Sequence, residues 1–241
     1  MKRIAVIRVL GTYLIWIAAG QSCPAQAPAA QPSHDELLTR VQHGDRNAII
    51  QAGATGDTNF VSVLESIARP HFVAQVNSNS VRNMSPEQIE TLRESMWRPM
   101  YDDPIAVDAR VALAKLGIKD YLDEILTELT DPAHSPVCKE RDGHPQFRCD
   151  AIRVRNRAFD KLAYIRSRST VRPIASFLSV TSAPASEGDI RYDSYANMAM
   201  RALTKIVDDP PQTGLPEDSA TLDARSKIWQ HWWKQNKDKY P

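Results

Sequence analysis

The stretch DPIAVDARVALAKLGIKDYLDEILTEL, residues 103–129, decides the fold class of this 241-residue chain. It opens with Asp103 before Pro104, a capping side chain followed by a proline at the first helical position. Apolar residues then recur at helical spacing, Gly117 breaks the pattern, and a second apolar face follows. The stretch therefore predicts two helices joined by a tight turn. The apolar positions are Ala109, Leu113, Leu116, Leu122, Ile125, Leu126 and Leu129.

The same pattern recurs along the chain, with an alanine at the matching position of each copy. These alanines are Ala48, Ala109, Ala158 and Ala199. The chain is 42% hydrophobic and 24% charged, which is ordinary for a globular domain, and it has only nine glycines and 7% aromatic residues. Few stretches have the β-rich, turn-bounded pattern of strands. We therefore expect an all-α fold of about four helical pairs.

Residues 103–129 resemble a HEAT repeat, in which an Asp, a downstream Arg, small and leucine positions and a Leu-Gly step lead into the second helix. Asp103, Arg110 and Gly117 stand at those positions. The resemblance implies a right-handed α-α superhelix, a HEAT-like α-solenoid whose surface binds other macromolecules and which is only occasionally catalytic.

Three further segments are similar to the same repeat. They are NAIIQAGATGDTNFVSVLESIA (47–68), NRAFDKLAYIRSRSTVRPIASFL (156–178) and YANMAMRALTKIV (195–207), the last supplying only a first helix. In the first of these, Gly56 stands where Gly117 stands. Because the copies are unevenly spaced, we expect insertions that lie on the surface. The insertions are 69–84, 131–149, 182–193 and 208–220.

The N-terminus predicts export. Lys2, Arg3 and Arg8 precede a short apolar run, the order of charge and hydrophobicity of a secretory signal. We expect a signal peptide at 1–25, a Pro/Ala-rich linker at 26–32 and the HEAT-like domain at 33–241. Cleavage would give a periplasmic or extracellular protein with no stable membrane insertion. Two alternatives remain open, an uncleaved signal that anchors the chain and a lipidated Cys23.

Two cysteines lie within one of the insertions, 131–149. Cys138 and Cys149 enclose an Asp-Gly turn dipeptide, and in an exported protein such a pair is most simply a disulfide. The alternative is a zinc site that adds His134 and His144 as nitrogen ligands. The spacing matches neither a Cys-x2-Cys nor a His-x3-His pair, so we favour the disulfide.

A basic run after this loop is the candidate binding site. Between Arg148 and Arg172 the chain has eight basic residues against two acidic ones. At helical spacing they would form a cationic stripe for an acidic protein surface or an anionic envelope polymer. The alternative is pairing with the acidic helix at 120–131. The candidate partner-binding residues are Arg153, Arg157, Lys161, Arg166 and Arg168.

The C-terminal segment carries a strongly apolar helix face. Trp229, Trp232 and Trp233 recur at i, i+3 and i+4. A repeat array needs a terminal element that closes its last core layer, so the segment predicts a Trp-rich capping helix. An exposed aromatic platform for stacking on sugars is the alternative.

No catalytic constellation stands out in the sequence. It contains no His-Glu-x-x-His, Gly-x-Ser-x-Gly, phosphate-loop or dinucleotide motif. The formal net charge is +1 and becomes slightly negative once the basic signal residues leave, which argues against nucleic-acid binding. We therefore expect a non-enzymatic exported scaffold without a cofactor. The alternatives are a carbohydrate or cell-wall binding module and an enzyme with a site on an inserted loop.

Overall fold

The computed structural model describes residues 32–68, 84–88, 103–142, 149–182 and 193–240. One compact unit runs from Ser33 to Pro241, and within its described residues the chain is helical without a strand. The predicted all-α class is thus confirmed. The segment predicted as a signal peptide, including Cys23, lies outside the described residues, as does the predicted linker up to residue 31. Among the described helices, none is long and apolar enough to cross a membrane.

The described α-helices follow one another with short connections inside each pair. They are α1 (His34–Gln42), α2 (Arg46–Thr55), α3 (Val61–Ala68), α4 (Pro104–Lys115), α5 (Lys119–Thr130), α6 (Pro136–Asp142), α7 (Ala151–Ile165), α8 (Val171–Ala175), α9 (Tyr195–Ile206) and α10 (Leu222–Asn236).

Helix starts and ends follow the signals in the sequence. The Ser33 hydroxyl accepts a hydrogen bond from the Glu36 N–H at 3.3 Å, and the Asp103 carboxylate accepts one from the Ile105 N–H at 3.0 Å. Gly56 and Gly117 end α2 and α4 with φ of +74° and +92°, a left-handed conformation that favours glycine. The capping residues and the two glycines of the sequence therefore stand where these helices begin and end.

The four equivalent alanines are buried where neighbouring helices pack against each other. Ala48, Ala109, Ala158 and Ala199 are all 0% exposed. Their helices pack in chain order, α2 against α4, α4 against α7 and α7 against α9. The second helix of each pair lies against the first helix of the next, α3 on α4, α5 on α7 and α8 on α9. Small side chains on the buried face let neighbouring helices approach closely.

Helix α8 is shorter than the apolar pattern predicts. The pattern suggests a helix through Leu178, but α8 ends at Ala175 and the chain continues in turns. The Ser176 hydroxyl donates to the Pro173 carbonyl at 2.7 Å, and such local side-chain bonds compete with the helical ladder. Leu178 is nevertheless 1% exposed, so the turn buries the side chain that the helix was expected to bury.

Helix α10 packs its aromatic face inward against α9. Trp229 is 3% exposed, and Trp232 donates its indole N–H to the Asp209 carbonyl at 3.0 Å. Arg225, 4% exposed, donates to the Asn197 side-chain oxygen at 3.0 Å. The Trp-rich helix therefore covers the last layer of the core. The handedness of the helical stack and its assignment as a solenoid stay predictions.

Candidate functional site

The cysteine pair holds the N-terminal end of α7. Cys138 on α6 and Cys149 lie at disulfide distance, with their Cα atoms 5.1 Å apart, and Cys138 is 2% exposed. The predicted pairing is thus confirmed as a pair at that distance. One residue later, the Asp150 carboxylate accepts from the Arg153 N–H at 3.0 Å and caps α7.

The alternative metal ligands are not brought together among the described residues. His134 is exposed, and its Nδ1 lies 2.9 Å from the carboxylate of Asp131. That contact lowers the pKa of Asp131, chiefly through the hydrogen bond to His134. His144 lies outside the described residues, and within them no three His, Cys, Asp or Glu side chains are placed to share a metal ion.

Two of the predicted binding residues form an exposed basic pair on α7. Arg153 and Arg157 stand one helical turn apart, and both are exposed. Neither guanidinium makes an ion pair or hydrogen bond with another described residue through its side chain. Their charges therefore face solvent. We call these two residues the basic pair.

Lys161, the third residue of the predicted stripe, is turned toward the core. Its Nζ lies 2.5 Å from a carboxylate oxygen of Glu128 on α5, and the two side chains are only 15% and 3% exposed. The acidic helix at 120–131 therefore forms an ion pair with one member of the stripe, as the self-pairing alternative predicts. Within the described residues it forms none with Arg153 or Arg157. An ion pair this buried fixes α7 against α5 more than it offers charge to a partner.

The two remaining candidates lie beyond the end of α7. Arg168 forms an exposed ion pair with Asp208. Arg166 adopts φ of +59°, a left-handed end of the helix, and its N–H donates to the Leu162 carbonyl at 3.0 Å. Both side chains are exposed, but neither continues the helical stripe of the basic pair.

Lys115 on α4 closes the C-terminal end of α7. Its ammonium donates to the carbonyls of Tyr164 at 2.8 Å and Ile165 at 3.4 Å, where the helix dipole is negative. Burial, and secondarily the charge of Arg166, lowers the pKa of Lys115. The Tyr164 hydroxyl in turn donates to the Ile50 carbonyl on α2 at 2.5 Å. Helix α7 is thus tied to the two preceding first helices.

Arg155 belongs to the basic run, but it packs against aromatic side chains. Its guanidinium lies 5.5 Å from the ring centroid of Phe177 and 5.1 Å from that of Tyr195, and it donates to the Leu129 carbonyl at 2.8 Å. The sequence does contain the signal, because Arg155 shares a helical face with Phe159 and Leu162 at i, i+4 and i+7.

A groove between α7 and α9 joins residues that the sequence does not link. It has a volume of about 180 Å³, with the buried side chains of Phe159 and Met198 below and charged groups along both sides. Asn156 and Asp160 belong to α7, and Arg201 and Lys205 to α9. The sequence does not reveal this groove, because its two sides are about 45 residues apart and neither forms a motif alone.

The chain has no match among protein-family models, curated proteins or solved structures.

Proposed function

We propose that this chain is an exported, non-enzymatic scaffold of HEAT-like helical pairs that binds an acidic segment of a partner protein through the basic pair of α7. The observation that carries the proposal is that Arg153 and Arg157 are exposed and share no ion pair with the other described residues. Their neighbour Lys161, by contrast, forms an ion pair with Glu128, with its Nζ 2.5 Å from the carboxylate oxygen.

The packing supports the architectural part of the proposal. Four equivalent alanines are fully buried, and each first helix contacts the next in chain order. Stacked helix pairs of this kind build the right-handed α-α superhelix of HEAT-like solenoids, in which each repeat contacts its neighbours. We therefore propose that the described pairs form such a superhelix with α10 as its terminal cap.

The rigidity of α7 favours its use as a binding surface. The Cys138–Cys149 pair holds its start, Lys115 binds its last carbonyls, and the Lys161–Glu128 ion pair fixes its middle. A surface that is ordered before binding loses less conformational entropy when a partner docks. Acidic side chains on the partner would then meet the basic pair without rearrangement of the scaffold.

The N-terminal pattern and the cysteine pair support export. Lys2, Arg3 and Arg8 precede an apolar run, and a cysteine pair at disulfide distance is compatible with an oxidising compartment. Intact mass spectrometry of the chain exported by its own signal checks this part. Cleavage near residue 25 with a mass two units below that of the reduced chain is expected, and a mature chain in which Cys138 and Cys149 are free thiols would overturn it.

The experiment for the binding proposal compares two matched double charge reversals. R153E/R157E removes the basic pair, whereas R172E/K227E changes two exposed basic residues on α8 and α10. Each variant is titrated with a poly-glutamate peptide, with the neutral poly-glutamine peptide as ligand control, at low and high salt. Circular dichroism confirms that the variants fold.

We expect the unmodified chain and R172E/K227E to bind poly-glutamate, and R153E/R157E to bind at least about tenfold more weakly, because two attractive contacts become repulsive. Salt should weaken the binding, since exposed charges are screened. Equal affinity of both double variants would refute the basic pair as the site. Binding of an anionic polysaccharide but not of poly-glutamate would instead favour an envelope polymer as the partner.

Among the described residues, the packing of Trp229 counts against the carbohydrate-binding alternative. Trp229 is 3% exposed and packs against Trp232, with ring centroids 5.5 Å apart. A ring buried in this way offers no face for stacking on a sugar.

A further inference from the structure

One residue that lines the groove between α7 and α9, Asn156, has a side-chain oxygen that no described residue satisfies. The side-chain oxygen of Asn156 is buried and has no hydrogen-bond partner within the described part of the chain. Buried polar atoms are nearly always hydrogen-bonded, so an exception in a groove indicates a place where a ligand donates. Asn156 is also one of the groove-lining residues.

The same side of the groove carries a second acidic or amide group, the carboxylate of Asp160. Asp160 lies one turn beyond Asn156 on α7, is exposed, and makes no ion pair with the other described residues. Asp193, at the end of the groove, is different, because it accepts from the Asn197 side chain at 2.6 Å and the Ser194 N–H at 2.8 Å. An amide oxygen and a free carboxylate one turn apart suit a ligand that carries an ammonium group.

The opposite side of the groove carries two cations. Arg201 and Lys205 stand one turn apart on α9. The only ion pair of Arg201 within the described residues is with Asp193 at 3.8 Å, beyond hydrogen-bond distance, and Lys205 has none there. The guanidinium and the ammonium therefore keep donors for an anionic group, and a carboxylate matches the fork geometry of an Arg guanidinium.

The floor of the groove is apolar and its size is small. Phe159 is 2% exposed and Met198 is 9% exposed beneath the polar sides. The volume of about 180 Å³ lies below the roughly 300–1,000 Å³ of sites for drug-sized ligands. A ligand that fits must be small, must carry separate positive and negative ends, and must present an apolar group to the floor.

We propose that the α7–α9 groove binds a small zwitterion of the α-amino acid class with an apolar side chain. Its ammonium group donates to the Asn156 oxygen and Asp160, and its carboxylate accepts from Arg201 and Lys205. Its side chain lies over Phe159 and Met198. The basic pair takes no part, so this inference does not depend on the acidic-partner proposal.

The test compares one complete ligand with three small molecules that each lack one element of recognition. L-leucine carries all three elements, N-acetyl-L-leucine lacks the ammonium group, L-leucinamide lacks the carboxylate, and glycine lacks the apolar side chain. Each is titrated by isothermal calorimetry into the full exported chain with its disulfide formed. Lys205→Met and Asp160→Asn test the two sides, and Lys227→Met on α10 is the matched control for the lysine.

We expect L-leucine to bind and the three partial ligands to bind at least about tenfold more weakly, because each loses a charged hydrogen bond or its apolar contact. Lys205→Met and Asp160→Asn should weaken L-leucine by a similar factor, and Lys227→Met should leave it unchanged. If N-acetyl-L-leucine bound as tightly as L-leucine, the role of Asn156 and Asp160 would be wrong. Absence of heat for every ligand up to about 10 mM would overturn the site itself.

Discussion

At the scale of single residues, the contact of Gly53 with Ala112 sets how closely α2 and α4 approach. A Cβ atom placed on Gly53 would lie 2.7 Å from the Ala112 Cα and 2.8 Å from its Cβ. Backbone on the neighbouring helix cannot swing aside as a long side chain can. The glycine is therefore required by packing, although glycine in a helix interior weakens the helix.

Gly53→Ala should destabilise the protein by up to about 2 kcal/mol, because overpacking costs about 1–3 kcal/mol and alanine regains only roughly 1 kcal/mol in helix propensity. Urea denaturation followed by circular dichroism measures the change. The control is the same substitution in an Ala112→Gly background, where the missing methyl group removes one clash and should lower the cost. A stabilised Gly53→Ala variant would show that α2 and α4 are less closely packed than described.

Asp45 predicts a pH dependence of stability at the start of α2. Its carboxylate accepts from the Arg40 side chain and from the Asn47 N–H, both at 2.9 Å. The hydrogen bond from Arg40, followed by that from the Ala48 N–H, lowers the pKa of Asp45 below its usual value of 3.8. A lowered folded-state pKa contributes stability above the unfolded-state value, and this contribution is lost as pH falls through the folded-state value.

Asp45→Asn keeps a capping side chain and removes the charge, so it isolates the effect of Arg40. We expect the variant to be less stable than the unmodified chain at pH 7, and this difference to shrink as pH falls below about 4. Urea midpoints at pH 7 and pH 3 give the comparison, with Asp223→Asn as the control. A difference between the two proteins that is independent of pH would rule out the charge and leave only the shape of the cap.

At the scale of helices, the Lys161–Glu128 ion pair joins α7 to α5 inside the protein. Removing the lysine leaves the carboxylate of Glu128, 3% exposed, without its cation. Lys161→Met should cost about 3 kcal/mol, whereas Lys161→Met/Glu128→Leu should recover most of the loss.

The matched control for this ion pair is Lys119, whose pair with Asp123 is exposed, with side chains 80% and 50% accessible. Lys119→Met should change the free energy of unfolding by less than about 1 kcal/mol. Chemical denaturation of all three variants measures the contrast. Equal costs for Lys161→Met and Lys119→Met would mean that Glu128 reaches water.

The Cys138–Cys149 pair acts on the connection between α6 and α7. It closes a short loop, since the two cysteines are 11 residues apart. Cys138→Ser/Cys149→Ser should lower the free energy of unfolding by roughly 2–3 kcal/mol, through greater freedom of the unfolded chain. Thermal melts of this variant and of the unmodified chain, each with and without reductant, provide the test. The account of α7 as a helix held at both ends would fail if loss of the pair left the melting temperature unchanged.

At the scale of the whole molecule, the sequence predicts which residues of each helical pair are buried better than it predicts which side chains meet between pairs. The alanines at 48, 109, 158 and 199 could be aligned because burial imposes the same helical period on every copy. Cys138 and Cys149 could be paired because they flank one turn. Both predictions depend on residues that are close in sequence or equivalent by repetition.

The contacts between helices in the candidate site could not be predicted from the sequence. The sequence groups Arg153, Arg157 and Lys161 on one stripe, but only the packing of α5 on α7 shows that Lys161 faces Glu128. The groove partners Asn156 and Lys205 come from helices of different pairs. Which side chains meet across two helices depends on their rotation and offset, and these are determined by the whole core.

We propose that the basic pair of α7 binds an acidic partner. The first measurement to make is amide NMR of the ¹⁵N-labelled chain during titration with poly-glutamate. The account predicts saturable shifts centred on Arg153 and Arg157, lost at high salt and absent with poly-glutamine. Absence of shifts, or shifts centred on other helices while α7 stays unchanged, would contradict it.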